Sequence, residues 1–110
     1  MAYDEDLAER LRECVAGEKG VTEKKMFGGL AFLINGNMAV AASGQGGMLL
    51  RCDPADTDKL VTKASVDRMV MRGRAMDGWL RVDDAAIRTD KQLATWVAHG
   101  IAYAKALPKK

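Results

Sequence analysis

Lys24-Lys25-Met26-Phe27-Gly28-Gly29-Leu30-Ala31-Phe32-Leu33-Ile34-Asn35-Gly36-Asn37-Met38-Ala39-Val40-Ala41-Ala42 is the stretch whose reading decides the fold. Asn-Gly supplies the two positive φ angles of a type I′ turn, and apolar, β-forming residues flank it on both sides, so the segment predicts a β-hairpin. Residues 24–34 read as one strand, with Gly28-Gly29 marking a bulge or bend inside it where another element packs closely. Residues 38–42 read as its partner.

Downstream, Ser43-Gly44-Gln45-Gly46-Gly47 is a second turn, leading to a third strand over residues 48–52. Asp53-Pro54 opens a helix, with Asp as cap and Pro at the first helical position; Leu60, Val61 and Ala64 give it an apolar side and an end near residue 64 or 65. Met69-Val70-Met71 and Trp79-Leu80-Arg81-Val82 read as two more strands, separated by a turn over residues 72–78, and residues 83–87 as one short turn. Thr89 caps the clearest helix, where Leu93, Trp96, Val97, Gly100, Ile101, Ala104 and Leu107 keep the helical period until Pro108. Upstream, Tyr3, Leu7, Leu11, Cys14 and Val15 define a first helix over residues 4–17, capped by Asp4.

The predicted order is α-β-β-β-α-β-β-α. Amphipathic helices at both ends and in the middle can cover one face of an antiparallel sheet, so the fold class is α+β, a two-layer sandwich on a five-stranded antiparallel sheet. The chain has 110 residues, 48% hydrophobic and 29% charged, which fits one folded domain over residues 1–110. Apolar runs such as Leu30-Ala31-Phe32-Leu33-Ile34 are far too short to span a bilayer, and the start is acidic where a signal peptide is basic, so a cytoplasmic location with no membrane role is expected. Cys14 and Cys52 form no CxxC pair and read as free, buried thiols.

Net charge is +2, with residues 1–18 at −4 and the remainder at +6. The most basic stretch is Arg68-Met69-Val70-Met71-Arg72-Gly73-Arg74, with Arg81 further on. Arg68, Arg72, Arg74 and Arg81 are therefore the candidate anion or nucleic-acid contacts, against a solvated strand edge or a surface for an acidic protein. Aromatic residues total only 5%, too few for a base-stacking platform. Seven methionines fall mostly in or beside strands and read first as core filler. Facing outward with Trp79, or with the Trp96, His99 and Tyr103 flank of the last helix, they would form a surface for a protein partner or a second copy of the chain.

Chemistry is sparse. His99 is the single histidine, isolated from Cys14 and Cys52, so no catalytic group, cofactor site, metal site or structural zinc is predicted. Asp53, Asp56 and Asp58 lack the glycine and distal glutamate of a calcium loop. The glycines at 44, 46 and 47 precede a strand where a phosphate loop precedes a helix.

Lys24-Lys25-Met26-Phe27-Gly28-Gly29, the Asn-Gly-Asn turn and Met38 resemble the opening motif of the TfoX (Sxy) N-terminal domain family. Leu49-Leu50-Arg51-Cys52-Asp53, Met71-Arg72-Gly73-Arg74, Gly78-Trp79-Leu80 and the last Trp-bearing helix extend that resemblance over nearly the whole chain, to a short single-domain branch. The resemblance implies the YgaC/TfoX-N shape, related to type III secretion chaperones. It also implies a non-enzymatic regulatory module, since full-length relatives activate competence genes together with a cyclic-AMP-responsive transcription factor. Those relatives carry a second, C-terminal domain, and this chain is expected to be the N-terminal module alone.

Overall fold

A computed structural model describes residues 3–26, 28–44, 46–63, 65–71 and 73–108. Helix α1 (Glu5–Val15) begins where the Asp4 carboxylate accepts from the amides of Asp6 and Leu7. Strands β1 (Val21–Met26), β2 (Gly29–Ile34), β3 (Asn37–Ala42) and β4 (Met48–Arg51) follow. Asp53 accepts from the Ala55 amide and starts a 3-10 turn, Pro54–Asp56, that runs into the single-turn helix α2 (Thr57–Leu60). Strands β5 (Val66–Met71) and β6 (Arg74–Val82), a 3-10 turn (Asp84–Ala86) and helix α3 (Asp90–Ala106) complete the order.

The sheet has six antiparallel strands in the order β1-β2-β3-β4-β6-β5, against five expected. The additional strand is β1. Residues 24–34 do not form one bent strand; Met26 pairs with Gly29, and Gly28 turns the chain back at φ 73°. The expected Asn-Gly turn is present, with Asn35 at φ 53° and Gly36 at 84°, joining Ile34 to its ladder partner Asn37. The helix expected to run from Pro54 to residue 64 or 65 stops at Leu60. The expected turn over residues 72–78 is largely strand, because β6 starts at Arg74 and Gly78 is a bulge within it at φ 84°. Ala64 and Arg72 lie outside the described residues.

The helices share one face of the sheet. Leu7, Leu11 and Val15 of α1 and Leu93, Trp96 and Val97 of α3 pack with Phe32, Val40, Leu50, Leu80 and Val82 in one core, and Leu60 of α2 joins it. On β3 an extra residue, Ala39, bulges between the pairs Phe32–Val40 and Leu33–Met38. It changes the alternation so that both Ala39 and Val40 face the helices, where α3 crosses with Gly100 against the Ala39 carbonyl. On the opposite face Ala31, Met38, Ala41 and Leu49 cluster with Met26, Leu33, Met69 and Trp79, all from strands. The result is a two-layer α+β sandwich with one helix-covered face.

Candidate interaction surface

Arg51 closes β4 and pairs across the ladder with Trp79 of β6. Its guanidinium lies 5.0 Å from the centroid of the Trp79 ring and 5.5 Å from that of Tyr103 on α3. A cation at those distances is attracted by both ring quadrupoles, and all three side chains are half-buried, which strengthens the attraction. Trp79 also packs on the strand-only cluster, so Arg51 links the open sheet face to the helix layer.

Backbone chemistry holds Trp79 there. The Gly78 amide donates to Thr57 Oγ1 at 2.7 Å, and the Gly78 carbonyl accepts from the Cys52 amide at 2.9 Å. A Cβ at Gly78 would sit 3.0 Å from the Pro54 ring at a φ that side chains rarely adopt, so a glycine is needed beside the Asp53-Pro54 helix start. The helix cap read from the sequence thus also sets where the tryptophan emerges.

Beside α3 run two shallow hollows that meet at Thr95 and His99. One, of about 620 Å³, is lined by Cys52, Asp53, Asp56, Ala98, Ala102 and Tyr103 among others. The second, of about 480 Å³, is lined by Lys63, Ser65, Thr89, Lys91, Gln92 and Trp96 among others. Sharing that boundary, they make one groove along α3, flanked by Cys52, Asp53 and Asp56 at one end and by Lys63, Ser65, Ala85 and Ala86 at the other. His99 is exposed and its ring lies 5.9 Å from that of Trp96, tilted by 48°. Trp96 is only 7% exposed and belongs to the core, contributing one edge to the groove.

The four expected interface residues therefore fall into two pairs, Trp79 with Tyr103 and Trp96 with His99. Arg51, which joins the first pair, was not singled out from the sequence. A lone arginine ending the apolar run Met48-Leu49-Leu50 was the signal that would have found it.

The expected basic residues do not share one surface. Arg68 is ion-paired with Asp58 and, at 2.9 Å, with Asp77; hydrogen bonds to the two carboxylates raise its pKa, Asp77 contributing most. Arg81 donates to Ser43 Oγ at 3.1 Å and to the Gly46 carbonyl at 2.9 Å, bracing the β3–β4 turn. On the ladder Arg68 is opposite Leu80 and Arg81 opposite Asp67, adjacent rungs whose side chains point to alternate faces. Arg74 is exposed near the β5–β6 turn, and Arg72 lies outside the described residues.

Cys14 is half-buried and Cys52 buried, and desolvation raises the pKa of both thiols, for Cys52 against a smaller opposing hydrogen bond with Thr57. Both are thus mainly protonated near neutral pH and poor nucleophiles. Among the described residues no group of three or more His, Cys, Asp or Glu is placed to hold a metal ion. No described helix is long and apolar enough to cross a membrane.

These features define an α+β domain with helices on one face of an antiparallel sheet and an aromatic–arginine junction where the open face meets α3. The family model for the TfoX N-terminal domain matches residues 13–104, from the last turn of α1 through all six strands to near the end of α3, and the chain belongs to that family. No curated protein and no solved structure matches the chain significantly.

Proposed function

We propose that this chain is a non-enzymatic regulatory module of the TfoX N-terminal type, acting through protein contacts in transcription or competence-related regulation. Family membership supports the regulatory setting. The observation that carries the contact reading is Arg51 held between Trp79 and Tyr103, all half-buried, where Trp79 joins half-buried Met26, Leu33 and Met69 around the strand-only cluster. Tryptophan, tyrosine and arginine dominate binding hot spots because each covers large apolar area while keeping a polar handle, and methionine adapts to varied partners. The partner on this reading is a protein, a transcription factor being the leading kind. The setting is the cytoplasm, where thiols such as Cys14 and Cys52 stay reduced.

The alternative is direct nucleic-acid binding through Arg68, Arg72, Arg74 and Arg81. It draws less support, since Arg68 is neutralised by two carboxylates and Arg81 is engaged with its own loop.

The test is transcript profiling of a deletion strain complemented with the wild-type chain, with Trp79→Ala or with Arg51→Ala. The wild type should restore the deletion's transcript changes. The two variants should not, while accumulating normally, because losing a hot-spot side chain weakens binding about tenfold or more. Full rescue by both variants removes this surface, and a deletion that alters no transcript removes the regulatory role. Binding of generic duplex DNA that collapses between about 50 and about 200 mM salt moves the assignment to the alternative.

A further inference from the structure

The outward face of α3 differs from that of α1. Helix α1 exposes Glu5, Asp6, Glu9 and Glu13, the ordinary solvent face of an amphipathic helix. Helix α3 exposes Asp90, Gln92, Ala94, Thr95, Ala98, His99, Ala102 and Ala106; Asp90 is paired with Arg10 at 3.6 Å, and of the two exposed lysines Lys105 is paired with Glu18 at 3.1 Å, while Lys91 stands near the N-terminal end. Helix propensity alone accounts for alanine. It does not account for how charge is arranged along the groove beside these residues.

One end of that groove, next to Ala102 and Tyr103, carries Asp53 and Asp56. The other end, next to Gln92 and Trp96, carries Lys63 and Lys91. None of these four forms an ion pair with a described residue. The charge changes sign about the midpoint at Thr95 and His99. A two-fold rotation that sets a second α3 antiparallel against the first carries each acidic end onto the other copy's basic end, on the same side of the helix pair. An isologous interface requires this self-complementarity, and few surfaces possess it. Alanines at every fourth position let two helix axes approach closely over the span from Lys91 to Ala106, about 22 Å of helix.

We infer that the groove along α3 is the contact surface of a symmetric dimer, in which Lys63 and Lys91 of each copy face Asp53 and Asp56 of the other. The inference goes beyond the regulatory reading and does not depend on it. An interface of one helix and its flank lies at the low end of stable sizes, so the dimer forms with a dissociation constant on the order of micromolar.

Sedimentation velocity of the full chain between about 10 and about 500 μM tests it, over the range set by that affinity. The wild type should move from monomer to twice its mass. Ala98→Glu should stay monomeric throughout with an unchanged thermal melt, since residue 98 is exposed. Lys91→Glu should weaken the dimer about tenfold by placing like charges together, and adding Asp56→Lys should restore it. A wild type monomeric throughout overturns the inference, as does Ala98→Glu dimerising normally or Asp56→Lys failing to restore Lys91→Glu. Transcript regulation through Trp79 stands or falls separately.

Discussion

Gly100 occupies the point where α3 crosses the β3 bulge, and a Cβ built there would lie 2.5 Å from the Ala39 carbonyl oxygen and 2.9 Å from Leu50 Cδ1. At an open helical site, glycine to alanine stabilises by about 1 kcal/mol through backbone entropy. Here the obstacle is backbone in a fully buried strand, so helix and sheet must separate. Overpacking of this kind costs about 1–3 kcal/mol, and Gly100→Ala should be destabilising despite its favourable propensity. Urea melts of the two proteins decide the sign. Gly78 answers to the same logic at the other end of the site, where its φ and its nearness to Pro54 allow the bulge that aims Trp79.

At the scale of elements, α3 is the best specified. Thr89 Oγ1 accepts from the Gln92 amide at 3.1 Å while Gln92 Oε1 accepts from the Thr89 amide at 3.0 Å, a reciprocal cap. Removing it by Thr89→Ala should cost about 1 kcal/mol in urea or thermal unfolding, with the native circular-dichroism spectrum retained. Strand β1 is the least specified, because it is an edge strand exposed or half-exposed along its whole length, so Val21-Thr22-Glu23-Lys24-Lys25-Met26 carries no alternating pattern to read. The short α2 follows from its surroundings. Thr57, at its start, donates to the Pro54 carbonyl and accepts from Gly78, and the chain then turns into β5 with Ser65 at φ 66°.

Over the whole molecule the helix layer is joined to the sheet, and to its own far end, by polar contacts as well as by the core. Arg12 of α1 holds Glu23 of β1 through two hydrogen bonds of 2.7 and 2.8 Å. Arg10 donates to the Ile87 carbonyl at 2.8 Å, and Asn37 Nδ2 to the Pro108 carbonyl at 3.0 Å. Hydrogen bonding to Arg12 lowers the pKa of Glu23. A carboxyl with a lowered folded-state pKa contributes stability that is complete above its unfolded value, about 4.3, and disappears as pH falls through the folded value. Glu23→Gln should therefore melt below the wild type at pH 7, and the gap should close toward pH 3. The effect is small because the pair is exposed. A gap unchanged at low pH would remove the ion pair as its source.

Local chemistry determined the fold class, the Asn35-Gly36 hairpin, the Asp4, Asp53 and Thr89 caps and the apolar stripe of α3, because each depends on residues within a turn or two of one another. The family resemblance rested on equally local stretches, and the match over residues 13–104 bears it out. Tertiary structure alone decided the rest. The sixth strand exists through pairing with β2, and Arg68 and Arg81 fall on opposite faces because they occupy adjacent rungs of one ladder. Arg51 meets Trp79 and Tyr103 across 28 and 52 residues of chain. A ladder register and a ring-to-cation distance depend on how distant segments pack, and no local pattern in the chain carries that information.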